Sequence, residues 1–558
     1  MKIVLVTLHA KYVHASLALP CLAAACRDLE KVDCRIMELT VNEQQDRLLT
    51  RLVAAETDVI LFSCYIWNME LTLKIASDLK QVAPETFVVL GGPEASYGAF
   101  EIMERNAGID CIVRGEGEVT CRELLQALRD GTPLEGVEGI TYREDGDIVA
   151  NPERELIARL DTIPSPFAAG LVDLQKPLVY LETSRGCPFS CAFCMSAMQE
   201  GVRTFGMDRI KSDLRLLLEA GVPTVKFVDR TFNYDAVRSE EIWNFILKEN
   251  RKSSFHFEIA AQLLNEPLLA LLRQVPPDTF RFEIGVQSTG EDTLSRVGRR
   301  SDLEKLFANV QRLLQETAVT VHLDLVAGLP GETFPAFLGS LQKLIDLHPH
   351  HIQVEVLKVL KGTPMRGISR EEKYRYSEAA PYKVLQTPWL TFQEIRRIEG
   401  ISRLVDQLYN SERFAASLKV FGEAMPLAQF FAAAADFFEE EGNGGLISLS
   451  GLFDTLWRFG KEVLDDRQRE RLQDALCFDY CLTGYPGGNL PSFFPSRPAQ
   501  KKKVAAAEPA RSGERVRYFQ WTFERDYRET PWREEATELT FIYRSAPGEG
   551  LKVETAET

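Results

Sequence analysis

Three cysteines on one short segment are the strongest chemical signal in the sequence. Cys187, Cys191 and Cys194 lie in TSRGCPFSCAFC, with three and then two residues between them. Three thiolates on one tight loop favour iron over structural zinc, because zinc would need a fourth ligand and no His or Cys follows at metal-site spacing. A cubane held by three thiolates leaves one iron open to another ligand. We therefore predict a [4Fe-4S] cluster at these cysteines.

The other eight cysteines are expected to be buried thiols. The chain has eleven cysteines in 558 residues, and long chains in a reducing compartment use cysteine as a buried thiol or as a metal ligand. Cys477 and Cys481 are one helical turn apart, so we expect a buried thiol pair there. The six cysteines before residue 122 fall within predicted helices and strands, except Cys64 at a strand end. We do not expect those six to converge.

Composition and charge narrow the class of protein. The chain has 45% hydrophobic and 26% charged residues, as globular proteins do, and its length corresponds to about three to four domains. A formal net charge of -16 argues against a nucleic-acid partner. No stretch reaches the ~20 apolar residues that span a bilayer, and the chain opens with strand-like MKIVLV in place of a signal peptide. We expect no membrane association and a cytoplasmic location.

Residues 1–135 alternate between strand-like and helix-like segments. This alternation predicts an α/β domain with an open parallel sheet of flavodoxin-like (Rossmann-like) type. The ligand crevice of such a sheet lies beyond the carboxyl ends of its strands. Residues 136–170 contain a predicted hairpin that turns at Asp145-Gly146, followed by a proline-containing linker. The five predicted strands are KIVLVT, CRIMEL, DVILFS, TFVVLGG and DCIVRG.

A second series of strand and helix patterns occupies residues 171–365. Six units fall short of the eight that close a full barrel, so we predict a partial, laterally open (βα)6 barrel. Residues 366–494 predict a mainly helical domain. Residues 495–517 are rich in Pro, Ala, Lys and Ser and predict a flexible linker, and residues 518–558 contain two strand-like pieces. The barrel strands are predicted at PLVYLET, PTVKFVD, SFHFEIA, FRFEIGVQ, VTVHLDLVA and IQVEVLKVL.

The cysteine loop and its barrel resemble the radical S-adenosylmethionine (SAM) enzymes. The shared features are the CxxxCxxC spacing, the aromatic Phe193 before the last cysteine, and the position of the loop after the first barrel strand. In that family the open iron binds SAM, and one electron releases a 5'-deoxyadenosyl radical that removes a hydrogen atom from an unactivated carbon. The end of the second strand departs from the Gly-Gly-Glu of many members. The resemblance implies SAM contacts at Phe193, Asp229, Asn233, Gln287, Ser288, Gly328 and Leu329.

The N-terminal sheet placed before this barrel resembles the cobalamin-binding subclass of the same enzymes. SCYIWN, GGPEAS and VRGEGE follow the third, fourth and fifth strands. The Asp-x-His-x-x-Gly element that supplies a histidine to cobalt in other cobalamin domains is missing, so we expect Tyr65 or Trp67 near the lower face of the corrin and His9 and His14 as polar lining. The alternative is an empty or otherwise occupied crevice. The resemblance implies cobalamin contacts at Ser63, Tyr65, Trp67, Asn68, Gly91, Gly92, Pro93, Gly115 and Glu116.

The match to these enzymes continues beyond the barrel. Lys361-Gly362-Thr363-Pro364 and the helical region that contains LCFDYCLTG resemble an uncharacterised extension on one branch of the family. We expect this extension to cover the substrate mouth.

The resemblance implies a cobalamin-dependent radical SAM methyltransferase that acts on an unactivated carbon. Two alternatives remain open: radical cyclisation or rearrangement without methyl transfer, and a non-catalytic cobalamin- and iron–sulfur-binding or redox-sensing protein. Methylthiotransferases for transfer RNA have a similar domain order but use three N-terminal cysteines for a second cluster, and convergence of such cysteines is not expected here. The implied partners are a low-potential electron donor such as ferredoxin or flavodoxin and an unidentified organic substrate, under anaerobic conditions.

Overall fold

The chain folds into two compact units in a computed structural model. The first unit contains residues 1–322, 328–331 and 357–389, and the second contains residues 323–327, 332–356 and 390–558. The structure describes residues 1–11, 14–199, 201–442, 445, 447–487, 490–495, 514–528, 531–546 and 550–557. Most of the predicted linker, residues 496–513, lies outside these ranges. No helix in the described ranges has both the length and the hydropathy needed to cross a bilayer.

Seven strands form the N-terminal sheet. They are β1 (Lys2–His9), β2 (Asp33–Thr40), β3 (Val59–Ser63), β4 (Phe87–Gly91), β5 (Cys111–Val113), β6 (Ile140–Glu144) and β7 (Asp147–Ala150). Their order is β2-β1-β3-β4-β5-β6-β7, and β1 to β5 are parallel, as predicted. The predicted hairpin turns at Asp145 and Gly146, which both have positive φ. Since β6 pairs antiparallel with β5, the hairpin extends this sheet.

Helices cover both faces of the N-terminal sheet. One core joins Val6 and Phe62 to Ile75, and the opposite core joins Leu5 to Leu124. Side chains of a strand alternate between the two faces of the sheet, and both faces are covered here. Strand β1 is therefore almost continuously apolar and buried. The helices are α1 (Ala18–Cys26), α2 (Gln45–Val53), α3 (Met69–Val82), α4 (Pro93–Ser96), α5 (Ala99–Arg105) and α6 (Gly117–Asp130).

The six predicted barrel strands are present. The strands in this part of the chain are β8 (Leu178–Leu181), β9 (Ser184–Gly186), β10 (Val202–Thr204), β11 (Thr224–Phe227), β12 (Ser254–Ile259), β13 (Phe280–Gln287), β14 (Thr320–Ala327) and β15 (His351–Val356). The six-stranded sheet has the order β15-β14-β13-β12-β11-β8, which confirms the six-unit prediction. Strands β9 and β10 form a separate antiparallel pair. The helices are α7 (Met207–Ala220), α8 (Ala236–Glu249), α9 (Glu266–Leu272), α10 (Glu291–Arg296), α11 (Leu303–Glu316) and α12 (Phe334–Asp346).

The barrel strands of the first unit have one apolar and one polar face. Phe257 and Phe282 are buried and pack their rings against Trp243 of α8, at centroid distances of 6.0 and 5.5 Å. Their neighbours along each strand, such as His256 and Glu283, lie on the opposite face and are partly exposed. We call this opposite face the inner face, because it is turned away from the helices.

Beyond the barrel strands the first unit ends in a short segment with α13 (Met365–Glu371), β16 (Arg375–Tyr376) and β17 (Val384–Gln386). The second unit is mainly helical, as predicted for residues 366–494, with α14 (Phe392–Leu404), α15 (Ala415–Ala424), α16 (Leu427–Glu440), α17 (Leu449–Val463) and α18 (Asp466–Thr483). Thr391 and Glu394 form a capping box that starts α14.

The described residues of the C-terminal tail form three strands, one more than predicted. They are β18 (Arg515–Phe523), β19 (Thr537–Ser545) and β20 (Lys552–Glu557), and they pair antiparallel in that order. The sequence of β20, KVETAE, is half charged and gave no strand signal. Cys477 and Cys481 of α18 are both fully buried, as expected for a thiol pair.

Candidate active site

The cysteine loop is fixed by backbone hydrogen bonds to other segments of the first unit. The Ala192 N–H donates to the Val297 carbonyl at 2.8 Å, and the Ala192 carbonyl accepts from the Met365 N–H at 2.9 Å. Inside the loop, the Cys194 N–H donates to the Cys191 carbonyl at 3.0 Å. The fold itself therefore determines the course of the segment that carries the three thiols.

A half-buried cation that the sequence reasoning missed lies against this loop. The Arg299 Nη1 atom is 3.5 Å from Cys191 Sγ, and the same guanidinium donates to the Gly285 carbonyl. Burial raises the pKa of the Cys191 thiol, and the charge of Arg299 opposes that rise. The Arg299 Nε atom is buried without a hydrogen-bond partner. A guanidinium with a spare donor next to a thiol suits an anionic, thiolate-bound group.

The three cysteines are neighbours, and their electrostatic environment fits a cluster. Cys191 is buried, Cys187 and Cys194 are partly exposed, and the charges of both influence the Cys191 thiol. The Cys187 Sγ atom lies 3.4 Å from the Thr231 hydroxyl. Across the described residues, no three His, Cys, Asp or Glu side chains are arranged to hold a single metal ion. Cluster ligation by these cysteines stays a prediction, supported by the residue types and by Arg299.

Asp229 and Asn233 are both hydrogen-bonded to protein groups. Asp229 is completely buried, and its carboxylate accepts from the Thr183 N–H at 3.0 Å and from the hydroxyls of Thr183 and Ser184. The Asn233 side chain is also buried and makes two hydrogen bonds of 2.9 Å with the backbone of Ala260. Both side chains hold the protein together near the cysteine loop, and their contacts with SAM stay predictions.

The side-chain oxygen of Gln287 is available to accept a hydrogen bond from a ligand. Its Oε1 atom is buried without a hydrogen-bond partner. Its backbone has φ +72°, a region that residues other than glycine rarely adopt. A Cβ atom at Gly285 would lie 2.1 Å from the Gln287 Nε2 atom, so glycine at 285 makes room for this amide. A strained residue with a free acceptor supports the predicted ligand contact.

The other predicted SAM residues differ in exposure. Phe193 is partly exposed, whereas Ser288 is nearly buried. The Gly328 carbonyl accepts from the Tyr374 hydroxyl at 3.0 Å, and Leu329 is fully buried. The Leu329 side chain packs inside the fold, so only backbone groups at this position remain for a ligand.

A cavity of about 560 Å³ lies at the carboxyl edge of the N-terminal sheet. Four residues of the predicted cobalamin set line it: Gly92, Pro93, Gly115 and Glu116. The segment that leads into and out of the cysteine loop also lines it, through Ser184, Arg185, Gly186, Met195, Ser196, Met198 and Gln199. The described lining does not include Ser63, Tyr65, Trp67, Asn68 or Gly91. The cavity therefore joins part of the predicted cobalamin set to the predicted cluster site.

The Glu116 carboxylate is ion-paired with two arginines. Its carboxylate lies 2.7 Å from Arg203 Nη2 and 3.3 Å from Arg185 Nη1. Burial alone would raise the pKa of Glu116, but the hydrogen bond from Arg203 and the two positive charges lower it overall. The side chain thus links the N-terminal sheet to the residues before Cys187, and its contact with cobalamin stays a prediction.

Arg185 is the centre of this ion-pair network, and the sequence reasoning missed it. It pairs with Glu118, and its Nε atom lies 2.9 Å from the Glu182 carboxylate. Arg185 stands two residues before Cys187, within the TSRGC segment. This position beside the cysteine loop was the only feature of the sequence that could have indicated a role for Arg185.

Asn68 fixes the loop after β3. Its amide nitrogen donates to the carbonyls of Leu8 at 3.1 Å and Ser63 at 3.0 Å, and its Oδ1 atom accepts from the Tyr65 N–H at 2.8 Å. The side chain is completely buried. Hydrogen bonds from Asn68 to corrin amides stay a prediction.

The glycine at 92 is required by packing within the protein. It has φ +96°, and a Cβ atom there would lie 2.7 Å from the Cys64 carbonyl oxygen. A Cβ at Gly91 would make only ordinary contacts at 3.8 Å.

The Tyr65 and Trp67 rings stack with centroids 4.4 Å apart, and Trp67 is 47% exposed. This exposed pair stays the predicted contact for the lower corrin face.

The two N-terminal histidines are engaged with protein side chains. His9 Nε2 lies 3.3 Å from the Glu38 carboxylate, and burial together with Lys176 lowers the pKa of His9 to about 4. His14 Nδ1 lies 2.7 Å from the Tyr180 hydroxyl.

The thiols of Cys26 in α1 and Cys121 in α6 influence each other, and this interaction lowers the pKa of the Cys26 thiol. A pair of thiols is not the set of three that a second cluster would need, so the expectation that the N-terminal cysteines do not converge on such a cluster stays a prediction.

Three protein-family models match the chain. They are the B12 binding domain over residues 3–125, the radical SAM superfamily over residues 181–344, and a protein family of unknown function (DUF4080) over residues 371–539. The first two matches confirm the implied domains and their cofactors, a [4Fe-4S] cluster, SAM and cobalamin. The third covers the uncharacterised extension.

Curated relatives carry several named activities. An uncharacterized methyltransferase of Pyrococcus horikoshii is 33% identical over 234 residues, covering 40% of this chain and 50% of that protein. The cobalamin-dependent radical SAM methyltransferase TokK of Streptomyces tokunonensis is 26% identical over 337 residues, 57% of this chain and 49% of TokK. An anaerobic magnesium-protoporphyrin IX monomethyl ester cyclase of Synechocystis is 25% identical over 346 residues, 58% of this chain and 67% of the cyclase. The chain spans about half the length of the first two.

Solved structures show the same fold. The cobalamin-dependent SAM radical enzyme OxsB, with aqua-cobalamin and SAM bound, superposes with a TM-score of 0.60 and 16% identity, covering 86% of this chain and 83% of OxsB. At that identity the likeness concerns the fold alone.

Proposed function

Because the chain is a radical SAM protein with an N-terminal B12-binding domain, we propose that it is a cobalamin-dependent radical SAM methyltransferase acting on an unactivated carbon. The observation that carries this proposal is the cavity of about 560 Å³. Gly92 and Gly115 of the B12-binding domain line it together with Ser184 and Gly186, which precede the cysteine loop. Ligands of the two domains would meet at one cavity.

The residues around this cavity suit the cofactors. When bound, the reduced cluster and SAM supply a 5'-deoxyadenosyl radical, and cobalamin supplies the methyl group. Cys187, Cys191 and Cys194 would hold the cluster, and Arg299 would donate a hydrogen bond to the Cys191 sulfur. Gln287 Oε1 offers an acceptor for a SAM donor group.

The proposed reaction needs two further partners. One is a low-potential electron donor, such as ferredoxin or flavodoxin, that would supply two electrons in each turnover, one to the cluster and one to cobalamin before its remethylation. The other is an organic substrate with an unactivated C–H bond. Two SAM molecules would be consumed in each turnover, one as the radical source and one to remethylate the cobalt.

Cyclisation or rearrangement without methyl transfer is the second candidate function. It is favoured by the match to an ester cyclase over 58% of this chain. SAM with a labelled methyl group distinguishes this function from methyl transfer, because only a methyltransferase delivers the labelled group to the product.

The test uses protein reconstituted anaerobically with iron, sulfide and hydroxocobalamin, reduced with dithionite, and given SAM with a trideuterated methyl group and cell extract. We expect 5'-deoxyadenosine and a trideuteromethylated product. Deoxyadenosine with an unlabelled product would favour cyclisation or rearrangement. A cluster-replete protein that forms no deoxyadenosine would overturn both enzyme functions and favour a binding or sensing role.

Cys191→Ala provides the internal control. We expect it to lose the cluster and retain cobalamin, because the B12-binding domain has its own two-sided core. Cys34→Ala removes a partly exposed thiol outside the loop and should retain both. Loss of cobalamin from Cys191→Ala would contradict the modular assignment.

A further inference from the structure

The inner face of the barrel strands in the first unit is made of ionisable side chains. Tyr180 on β8 pairs in register with Lys226 on β11, and Lys226 with His256 on β12. Glu258 on β12 is in register with Glu283 on β13. In closed barrels the corresponding interior is filled with packed Val, Ile and Leu. This chain therefore does not build its barrel interior as an apolar core.

These side chains bond to each other across neighbouring strands. Lys226 Nζ lies 3.1 Å and His256 Nε2 lies 2.9 Å from the Glu283 carboxylate. Burial opposes ionisation of Glu283, but the hydrogen bond from His256 and the charge of Lys226 lower its pKa to about 2. The side chains of Lys226 and Glu283 remain 25% and 26% exposed. Because this charged pair remains in contact with solvent, the inner face is a polar surface that a ligand can reach.

This polar surface extends to the cysteine loop. Arg230 lies 3.6 Å from Glu258, its side chain is 53% exposed, and it lines the cavity of about 560 Å³. Arg230 thus joins the inner face to the site where the cluster is predicted.

The N-terminal domain adds polar groups at the other end of this surface. His14 bonds to the Tyr180 hydroxyl at 2.7 Å, and Lys176 donates to the His14 carbonyl at 3.1 Å. Both cationic and anionic side chains are present along the whole face. An apolar ligand placed here would strip water from these groups without replacing its hydrogen bonds, which costs free energy.

We propose that the inner face, through Lys226, Arg230, Glu258 and Glu283, binds a water-soluble small molecule with ionised groups as the substrate of the reaction. The inference rests on the proposed function and adds the substrate class. Lys226 and Arg230 would receive an acidic group of the substrate, and the two glutamates a basic or hydroxyl group.

The test separates the substrate class by extraction. Cells of the source organism are divided into an aqueous methanol phase and a chloroform phase, and each phase is given to the reduced, cobalamin-loaded protein with trideuteromethyl SAM. We expect substrate-dependent 5'-deoxyadenosine and a labelled product in the aqueous phase. A labelled product in the chloroform phase alone would overturn the substrate class and leave the proposed function intact. No deoxyadenosine with either phase would overturn both.

Two variants tie the result to the inner face. Lys226→Met and Glu283→Gln each remove one side of a charge-assisted hydrogen bond, so we expect about tenfold or greater loss of labelled product at limiting substrate. Lys211→Met is the matched control, because Lys211 is ion-paired at 2.6 Å with Glu241 between the outer helices α7 and α8. Iron content and corrin absorbance show that each variant is folded and loaded. Wild-type label incorporation by both inner-face variants would overturn the proposal.

Discussion

The carboxylate of Glu94 and the ammonium group of Lys361 form a buried ion pair at 3.0 Å. Glu94 follows the Gly91-Gly92-Pro93 turn of the B12-binding domain, and Lys361 begins the segment that resembles the family extension. The Tyr382 hydroxyl also donates to Glu94. The chain that follows the last barrel strand is thus attached to the loop that lines the cofactor cavity.

Loss of this pair is expected to weaken cobalamin binding. Glu94→Gln leaves Lys361 without its counter-charge in a largely buried position, which we expect to lower the free energy of unfolding by about 2 kcal/mol. The freed loop should raise the dissociation constant for hydroxocobalamin, measured by absorbance titration. The double variant Glu94→Gln/Lys361→Met should be less affected than the sum of the single variants. Additive effects would show that the two groups do not act as a pair.

Asp229 is expected to act on the cluster loop and not on SAM. Its carboxylate holds Thr183 and Ser184 and lies 3.3 Å from Arg238. Asp229→Ala would leave Arg238 buried without its counter-charge, at a cost of about 3 kcal/mol. Iron content should fall in this variant, whereas Asp229→Asn should retain more iron because it keeps one acceptor oxygen. Normal iron content with weakened SAM binding would contradict this role.

Arg299 is expected to raise the reduction potential of the cluster. A cationic donor on a ligand sulfur stabilises the more negative, reduced state. Replacing it by methionine should lower the midpoint potential by about 60 mV, the equivalent of one charge-assisted hydrogen bond for a one-electron couple. Potentiometric titration followed by electron paramagnetic resonance gives the value directly. Arg299→Lys should recover part of the shift, and an unchanged potential in both variants would exclude the effect.

The stability of the first unit is expected to fall between pH 6.5 and pH 4. Burial and Lys176 lower the pKa of His9 from 6.5 to about 4. In that interval the unfolded chain binds a proton that the folded chain does not, so stability decreases as the pH falls, by up to about 3 kcal/mol. Denaturant unfolding at a series of pH values should show a flatter curve for His9→Asn. An equally steep curve for His9→Asn would contradict this role of His9.

The presence of strands β1 to β5 and their parallel arrangement could be predicted because apolar runs alternating with helix patterns are local features of the sequence. The inward direction of Lys226 was also available from the sequence, because side chains alternate along a strand and its neighbours Val225 and Phe227 are apolar and buried. Asp229 and Arg230 lie beyond the end of β11, so strand alternation does not place their side chains.

The ion pairs between distant segments could not be predicted in this way. Glu116 and Arg203 are 87 residues apart, and nothing in either segment specifies the other. The same limit applies to the contact between Cys26 and Cys121, which depends on how α1 packs against α6. Periodicity gives the face of an element, while the partner across the interface depends on the tertiary packing.

Arg185 is expected to couple cobalamin binding to cluster assembly. It reaches Glu116 of the B12-binding domain at 3.3 Å and Glu182 at 2.9 Å, and it stands two residues before Cys187. Arg185→Met would leave these carboxylates close together without a cation, and burial already raises the pKa of Glu182. We expect about tenfold weaker hydroxocobalamin binding together with reduced iron content, since a broken buried pair costs a few kcal/mol.

Arg185→Lys tests whether charge alone suffices for this coupling. Lysine keeps the positive charge but cannot contact several carboxylates with a rigid fork of donors, so we expect only partial recovery of both cofactors. Cys191→Ala should lose iron alone, and the joint loss is therefore the distinctive result for Arg185. Retention of either cofactor at the wild-type level in Arg185→Met would mean that the two domains hold their cofactors independently of this arginine.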